Sequence, residues 1–360
     1  MSLIAPTANP LLEQTLVAKL QRRAQAQGGL GELEPVAVRL GLLQHSLRPR
    51  FREPQLVVFA ADHGLAVDGI HAAPGRQTDE MVQQILAGRQ PVSVFARHQG
   101  MQLSVVDCGV ATQLPPHDRL LPRKIAHGTR NARVGAAMSL EQAHAAIRAG
   151  MEIADSLRGN LIACAGLGVG SHESAALVLA RLTNTPVREM MVSGPEMNPD
   201  LLAHLMIVVQ GAQGRHRDVS DAVEVLAAFG GFETAVMVGA MLVAASKRHL
   251  IMVDGMAACA ALLVASRIAE SVTDYCVFCR SQVHHGIDRA LGLFQASALL
   301  ELGLDATDGT GACLSWPLVN SAAALLTELS EDDVSQPAGM DAPLVQSLYD
   351  PSNPTIPGLP

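Results

Sequence analysis

Residues 160–182 read NLIACAGLGVGSHESAALVLARL, which is an apolar run, a glycine-rich turn and a helical pattern in succession. The run Asn160–Ala165 is short and uninterrupted, as expected for a strand buried on both faces of a parallel sheet. The turn Ala165-Gly-Leu-Gly-Val-Gly-Ser171 opens a helix predicted from about His172 to Leu182. This strand–turn–helix unit is typical of an α/β protein and predicts where its functional loops lie.

The glycine turn is suited to binding an anion, because its backbone amides and the helix N-terminus point at the same place. The turn is not GxGxxG, and no acidic residue follows at the spacing that holds a dinucleotide ribose. We therefore predict that Gly168, Gly170 and Ser171 bind a mononucleotide phosphate. A plain tight turn is the alternative, which the three glycines disfavour.

Four further apolar runs alternate with helical patterns along the chain. They are Gln55–Ala60, Gln102–Asp107, His249–Val253 and Asp274–Phe278. This alternation predicts a doubly wound, mostly parallel sheet with helices on both faces and functional loops at the carboxyl ends of its strands.

Both ends of the chain are predicted to be helical. Two helical patterns, Pro10–Ala26 and Leu33–Leu47, precede the first strand, and another follows Thr310 before a Pro-rich end from Pro351. We expect a large Rossmann-like domain over residues 50–310, and a small helical lobe formed by residues 1–49 together with 311–360.

Composition excludes several classes of protein. The 34 acidic and 26 basic residues give a net charge of −8, which argues against a nucleic-acid-binding surface. The most apolar region, Ala235–Ser266, is interrupted by polar residues, so no membrane span is predicted. The N-terminus lacks a secretory pattern, and the six cysteines read as structural thiols of a cytoplasmic protein.

Three other segments are candidates for chemistry. Asp62 and His63 follow the first strand, although an isolated Asp-His pair is more often a cap and a satisfied polar residue. The segment Lys124–Asn131 mixes cations, a hydroxyl and a glycine, which suits an anion but also describes an ordinary surface loop. Asp308 precedes Gly309-Thr310-Gly311 and reads as a helix cap or as a carboxylate base.

Metal binding is not predicted. His284 and His285 are adjacent and do not share a helix face, and the pair Cys276 and Cys279 has no second pair to complete a zinc site.

The order of several short motifs is more specific than any one of them. They are Phe59-Ala-Ala-Asp-His-Gly64, Val106-Asp-Cys-Gly-Val110, His127-Gly-Thr-Arg-Asn131, Ala137-Met-Ser139, Gly168-Val-Gly170, Phe229-Gly-Gly-Phe-Glu233, Asp254-Gly255, Arg280-Ser281 and Asp308-Gly-Thr-Gly-Ala312. Over roughly residues 28 to 330 the chain resembles the nicotinate-nucleotide:dimethylbenzimidazole phosphoribosyltransferases of cobalamin lower-ligand synthesis.

This resemblance implies a transfer of phosphoribose from nicotinate mononucleotide to 5,6-dimethylbenzimidazole or a related aromatic acceptor, giving α-ribazole 5′-phosphate and nicotinate. It implies a homodimer, with pairing to a paralogue as the alternative, and neither a metal nor an organic cofactor. A non-catalytic paralogue that binds a nucleotide or base, or that partners an active relative, is the competing hypothesis.

The resemblance also assigns residues. Asp308 matches the family's general base, and the glycine turn together with Gly128, Thr129, Arg130 and Asn131 matches its mononucleotide site. The aromatic-base side is assigned to Asp62, His63 and His71. The remaining substrate-binding matches are His204, Arg280, Ser281, Gly309, Thr310 and Gly311.

The chain departs from the family pattern at several of these positions. The family base is a glutamate where this chain has Asp308, which is shorter by about 1.5 Å. A second family glutamate corresponds to Gly166, and a family lysine to His204. Near the N-terminus the family's Lys-Pro-Pro-Gly-Ser-Leu-Gly is reduced to residues 25–31, and the glutamate after Arg-Ser is replaced by Val283.

Overall fold

The computed structural model describes residues 4–70, 77–195, 197–306 and 308–328, apart from the side chains of residues 26 and 27. His71 and the tail from Pro351 lie outside these residues. Within them the chain forms seven strands: β1 (Gln55–Ala61), β2 (Gln102–Gly109), β3 (Leu120–Pro122), β4 (Leu161–Leu167), β5 (Leu250–Asp254), β6 (Cys276–Arg280) and β7 (Ala298–Leu300).

The same ranges contain twelve α-helices. They are α1 (Pro10–Gln27), α2 (Leu33–Gln44), α3 (Thr78–Leu86), α4 (Pro91–His98), α5 (Leu140–Ser156), α6 (Ser171–Thr183), α7 (Pro199–Arg215), α8 (Ala222–Phe229), α9 (Phe232–Ser246), α10 (Met256–Ile268), α11 (Ile287–Leu293) and α12 (Thr310–Thr327). None of these helices is both long and apolar enough to cross a bilayer.

The strands form one parallel sheet in the order β3-β2-β1-β4-β5-β6-β7. The sheet is doubly wound, because the chain moves outward from β1 in one direction and then returns to build outward from β4 in the other. Every residue of β1, β4, β5 and β6 is buried, as expected when both faces carry helices. The predicted α/β fold is confirmed.

Alternation along β4 shows that helices cover both faces. Gly309, at the start of α12, packs against Leu56 and Ala165, whereas the next residue, Gly166, packs against Ala257 of α10. Neighbouring strand residues point to opposite faces, so α12 and α10 lie on opposite sides of the sheet.

Several element boundaries differ from the sequence prediction by one to three residues, and two of them have a clear local cause. Asp274 and Tyr275 belong to a 3₁₀ turn, Glu270–Tyr275, so the last predicted strand begins at Cys276 and continues to Arg280. Helix α2 ends at Gln44 rather than Leu47, because His45 adopts the left-handed conformation (φ 52°), which ends an α-helix.

The helices at the two ends of the chain pack together. Helix α12 packs on α2, and Lys19 Nζ of α1 donates to the Leu326 carbonyl at 2.9 Å. Helix α12 also packs on β6, where Ser315 Oγ donates to the Cys279 carbonyl at 2.8 Å. The division into a large domain and a separate helical lobe stays a prediction.

Candidate active site

The sheet order places the candidate site between β1 and β4. In an open parallel sheet, ligands bind outside the carboxyl ends of the strands where the strand order reverses. Here Asp62 and His63 follow β1, and the glycine turn follows β4. These are two of the segments that sequence reasoning singled out.

The glycine turn lies directly against the end of β1. A Cβ at Gly168 would lie 1.8 Å from the Ala61 carbonyl oxygen, so only glycine permits this approach. Gly170 has φ +87°, and α6 begins at the next residue, Ser171. The predicted strand–turn–helix unit is confirmed, and it brings backbone amides to the reversal point.

Asp62 fixes the conformation of this turn through Thr78. The Val169 amide donates to Thr78 Oγ1 at 3.0 Å, and that hydroxyl donates to Asp62 Oδ1. The Ala111 amide donates to Asp62 Oδ2 at 2.7 Å. One carboxylate therefore joins the ends of β1, β2 and β4 with the start of α3.

A small cavity, called here the loop cavity, lies beside the glycine turn. It is lined by Gly166, Gly168, Gly170, Ser171, His172, Glu173, Asp254, Gly255, Met256, Ala257, Arg280, His285 and Ile287. Arg280 Nε donates to Asp254 Oδ1 at 2.6 Å, and both side chains are buried. Burial lowers the pKa of Arg280, but the adjacent Asp254 carboxylate outweighs burial and the pKa is raised. A permanent cation thus borders the cavity.

A larger cleft of about 680 Å³, called here the Asp308 cleft, lies next to the loop cavity. Its apolar lining includes Met81, Ile85, Phe95, Leu167 and Leu304, and its polar lining includes Glu80, Gln84, Gln90, Asp305, Asp308 and Thr310. Leu167 stands between Gly166 and Gly168 of the loop cavity, so the two spaces share the wall formed by the end of β4. Three carboxylates therefore line the cleft, those of Glu80, Asp305 and Asp308, and with the apolar residues they suit a flat aromatic ligand that carries a ring N–H.

Thr310 holds the side chain of Asp308 in the cleft. Its Oδ1 accepts hydrogen bonds from Thr310 N at 3.1 Å and from Thr310 Oγ1 at 2.6 Å. The N-cap of α12 is Gly309, so Asp308 stabilises the turn before the helix rather than capping it, and it also lines the cleft.

The loop containing Gly128-Thr-Arg-Asn131 braces the segment after β1. Thr129 Oγ1 accepts from the Gly64 amide at 3.2 Å, and Asn131 Nδ2 donates to Asp68 Oδ2 at 2.8 Å. Arg130 is exposed and donates to the Ala136 carbonyl at 2.9 Å. These residues line neither the loop cavity nor the Asp308 cleft, so their binding role stays a prediction.

Other predicted residues are divided between the site and its surroundings. Gly309 is the N-cap of α12, and Gly311 lies in its first turn, where a Cβ would lie 2.6 Å from Asp254 Oδ1. Ser281 is buried, and its amide donates to the Leu300 carbonyl at 3.0 Å. His204 is exposed on α7 and its Nε2 lies 2.6 Å from the Asp68 carbonyl, away from both spaces.

Sequence reasoning missed three acidic residues around the glycine turn. Asp254 holds Arg280, Glu173 lines the loop cavity, and Glu233 accepts from Ser171 Oγ at 2.9 Å. Burial raises the pKa of Glu173, and the nearby His63 only partly offsets this effect. The signal was available for Asp254, which directly follows the predicted strand His249–Val253. Asp254 and Glu233 also stand in the quoted motifs, but no role was assigned to them.

Known proteins match nearly the whole chain. A family model described as Phosphoribosyltransferase matches residues 5–335. Relatives from Cupriavidus taiwanensis and Cupriavidus necator are 42% and 41% identical, over 90% of this chain and 95% and 96% of theirs. The fold and these matches define the chain as a phosphoribosyltransferase.

The names of these relatives identify a more specific family. Both are named nicotinate-nucleotide–dimethylbenzimidazole phosphoribosyltransferase. A crystal structure of the protein so named from Thermus thermophilus superimposes with a TM-score of 0.83 at 31% identity, covering 92% of this chain and 100% of that one. The chain belongs to the nicotinate-nucleotide–dimethylbenzimidazole phosphoribosyltransferase family.

Proposed function

We propose that this protein transfers the phosphoribosyl group of nicotinate mononucleotide to 5,6-dimethylbenzimidazole or a related aromatic acceptor. The products are nicotinate and α-ribazole 5′-phosphate, the nucleotide that carries the lower ligand of cobalamin. One observation carries the proposal: Asp308 faces an aromatic-sized cleft that shares the end of β4 with the cavity beside the glycine turn.

The donor's phosphate binds at the glycine turn in this proposal. The N-terminus of α6 and the backbone of Gly168–Ser171 supply partial positive charge. Arg280 adds guanidinium N–H donors beside the same cavity, with its charge balanced by Asp254. Gly128–Asn131 contribute indirectly. They hold the segment after β1, and the glycine turn packs against that segment.

The acceptor lies in the Asp308 cleft, with Met81, Phe95 and Leu167 against its ring. The bond between the ribosyl carbon and the pyridinium nitrogen breaks, and its electron pair goes to that nitrogen, which leaves as the neutral ring nitrogen of nicotinate. One imidazole nitrogen of the acceptor forms the new bond, and the proton on its other ring nitrogen passes to the Asp308 carboxylate. Positive charge develops at the ribosyl carbon only in the transition state. Bonds, electrons and the proton all balance between the two substrates and Asp308, so the step needs no further reactant.

The protein acts as a homodimer in the cytoplasm in this proposal, with pairing to a paralogue as the alternative assembly. Support for the compartment comes from the cysteines, since all six are free and buried, as in proteins of reducing compartments.

Mass spectrometry tests the reaction. The purified protein is incubated with nicotinate mononucleotide and a panel of benzimidazoles, purines and phenols, and released nicotinate and new ribosyl phosphates are measured. A product with one acceptor supports the proposal and identifies that acceptor. Binding of the nucleotide without product from any acceptor would reject it.

A non-catalytic paralogue is the second candidate, and Gly166 favours it. The family's second glutamate has no space here, because even a Cβ at Gly166 would lie 2.5 Å from the Ala257 Cβ. A paralogue that binds without turnover would retain the donor site at the glycine turn and lose only the chemistry. A motif-complete second copy in the same genome, and restoration of activity on mixing the two proteins, would favour this candidate.

A further inference from the structure

The motif Phe229-Gly-Gly-Phe-Glu233 has no role in the reaction proposed above. Its last residue, Glu233, lies in the first turn of α9 and has no exposed surface. Removing a carboxylate from water is costly unless charged or polar groups compensate it. The groups around Glu233 therefore indicate what it does.

Ser171 is the first of these groups. Its hydroxyl donates to Glu233 Oε1 at 2.9 Å, and both side chains are buried. Ser171 begins α6 and directly follows Gly170, the residue that turns the chain from the glycine turn into the helix. A buried hydrogen bond thus ties the end of the glycine turn to the start of α9.

His63 is the second group. Its Nε2 lies 3.0 Å from Glu233 Oε1, and 5% of the residue is exposed. On the other side it contacts the glycine turn, since a Cβ at Gly170 would lie 2.9 Å from the His63 Cβ. The imidazole is therefore packed between the buried carboxylate and the backbone of the turn.

The charges around His63 favour its protonated form. Burial lowers the pKa of His63, but Glu233, Asp62 and Glu173 act together in the opposite direction, and the pKa is raised. The thiol of Cys108 also faces Glu233, and burial followed by this carboxylate raises its pKa, so it stays neutral. His63 and Glu233 therefore form a buried pair in which the carboxylate favours a proton on the imidazole.

We propose that Glu233 and His63 are positioning residues, which hold Ser171 and the turn from Gly168 in the conformation that binds the donor's phosphate. This inference rests on the proposed function, because it assumes that the turn binds nicotinate mononucleotide. Glu233 acts on the nucleotide through Ser171 and does not touch it. The position of Glu233 in the first turn of α9 also favours a carboxylate there, because of the helix dipole.

Two isosteric or nearly isosteric variants test the inference. Glu233→Gln keeps the shape of the side chain but removes the charge that holds His63, and Ser171→Ala deletes one hydroxyl. For each we expect the dissociation constant for nicotinate mononucleotide, measured by titration calorimetry, to rise by about tenfold, as for loss of a buried hydrogen bond to a charged group. We expect kcat at saturating donor to change by less than about threefold, because the interaction serves binding rather than the chemical step.

A double variant distinguishes positioning from general damage to the fold. If Glu233 acts through Ser171, the Glu233→Gln, Ser171→Ala protein binds no more weakly than the poorer single variant. The matched control is Asp107→Asn, which removes a buried carboxylate paired with Lys124 at 3.2 Å at the end of β2. This control is expected to lower the melting temperature and to leave the dissociation constant unchanged.

Additive losses in the double variant, or wild-type affinity in Glu233→Gln, would overturn the inference while leaving the proposed function intact. Failure of the wild-type protein itself to bind nicotinate mononucleotide would overturn both. Circular dichroism of each variant verifies that a loss of binding is not a loss of fold.

Discussion

Asp308 accepts two hydrogen bonds from Thr310, one from its amide and one from its hydroxyl, and both reach the same carboxylate oxygen, Oδ1. The second oxygen, Oδ2, is the one that can take a proton from a ligand in the Asp308 cleft. The carboxylate is therefore oriented by its own helix before any substrate binds, which reduces the reorganisation that proton transfer requires.

The first prediction concerns this base. Asp308→Asn keeps an acceptor for Thr310 but cannot take a proton, and we expect kcat to fall by about a hundredfold or more, as for loss of a general base. Asp308→Glu is the matched control, since it restores a carboxylate and should retain more activity than the asparagine variant. Steady-state kinetics of nicotinate release measures both, and an asparagine variant as active as wild type would remove Asp308 from the reaction.

The second prediction concerns the close approach of the glycine turn to β1. Gly168→Ala places a methyl group against the Ala61 carbonyl, so the turn must move, and we expect a destabilisation of about 1–3 kcal/mol with weaker nucleotide binding. Gly214→Ala is the control, because α7 has open space there and alanine favours a helix by up to about 1 kcal/mol. Urea unfolding compares the two, and equal effects would contradict the proposed crowding.

The third prediction concerns the contact between β4 and α10. Gly166→Ala brings a methyl group to within 2.5 Å of the Ala257 Cβ, which we expect to lower stability by about 1–3 kcal/mol. Adding Ala257→Gly removes the opposing methyl group and should recover part of that loss. The free energies of unfolding of the two singles and the double form a cycle, and a coupling near zero would mean that other neighbours, such as Met237, limit this position.

The fourth prediction concerns acid stability. Burial, and then the neighbouring His285, lowers the pKa of His172 to about 4 from its ordinary 6.5. The unfolded chain therefore binds a proton that the folded chain does not, between about pH 4 and 6.5. Stability contributed by the neutral ring is present above that window and is lost as pH falls through it.

His172→Gln removes this titrating ring, so the drop in the free energy of unfolding across that pH window should be smaller by roughly 2 kcal/mol. This is less than the full pKa shift implies, because the ring keeps some contact with water. Thermal unfolding between these pH values measures the effect. His144→Gln, an exposed histidine on α5, is the control and should leave the profile unchanged.

Sequence reasoning predicted the central strands well, because β1, β4 and β5 are short apolar runs that alternate with longer helical patterns, as in a parallel sheet. It missed β3 and β7, which have three residues each and lie at the two edges of the sheet. Leu120–Pro122 includes a proline, which an edge strand tolerates but which hides the strand pattern.

The sequence singled out Asp308 and the glycine turn, because glycines and a carboxylate at the start of a helix are visible along the chain, and their binding roles stay predictions. It also singled out Asp62 and His63 but did not predict their contacts, because both have partners distant in sequence: Asp62 accepts a hydrogen bond from Thr78, and His63 lies beside Glu233. A pattern along one segment carries no information about such contacts.

The glycine turn and the Asp308 cleft differ in the kind of groups that form them. The proposed donor side depends on backbone, on glycines that admit no side chain, and on buried charges, so most substitutions there would disturb the fold itself. The Asp308 cleft is lined by side chains such as Met81, Ile85 and Phe95, which can be exchanged for others of similar volume. If the acceptor binds there as proposed, a few replacements in the cleft would change acceptor choice without altering the glycine turn, and the cleft is the place to redesign the protein for a different lower ligand.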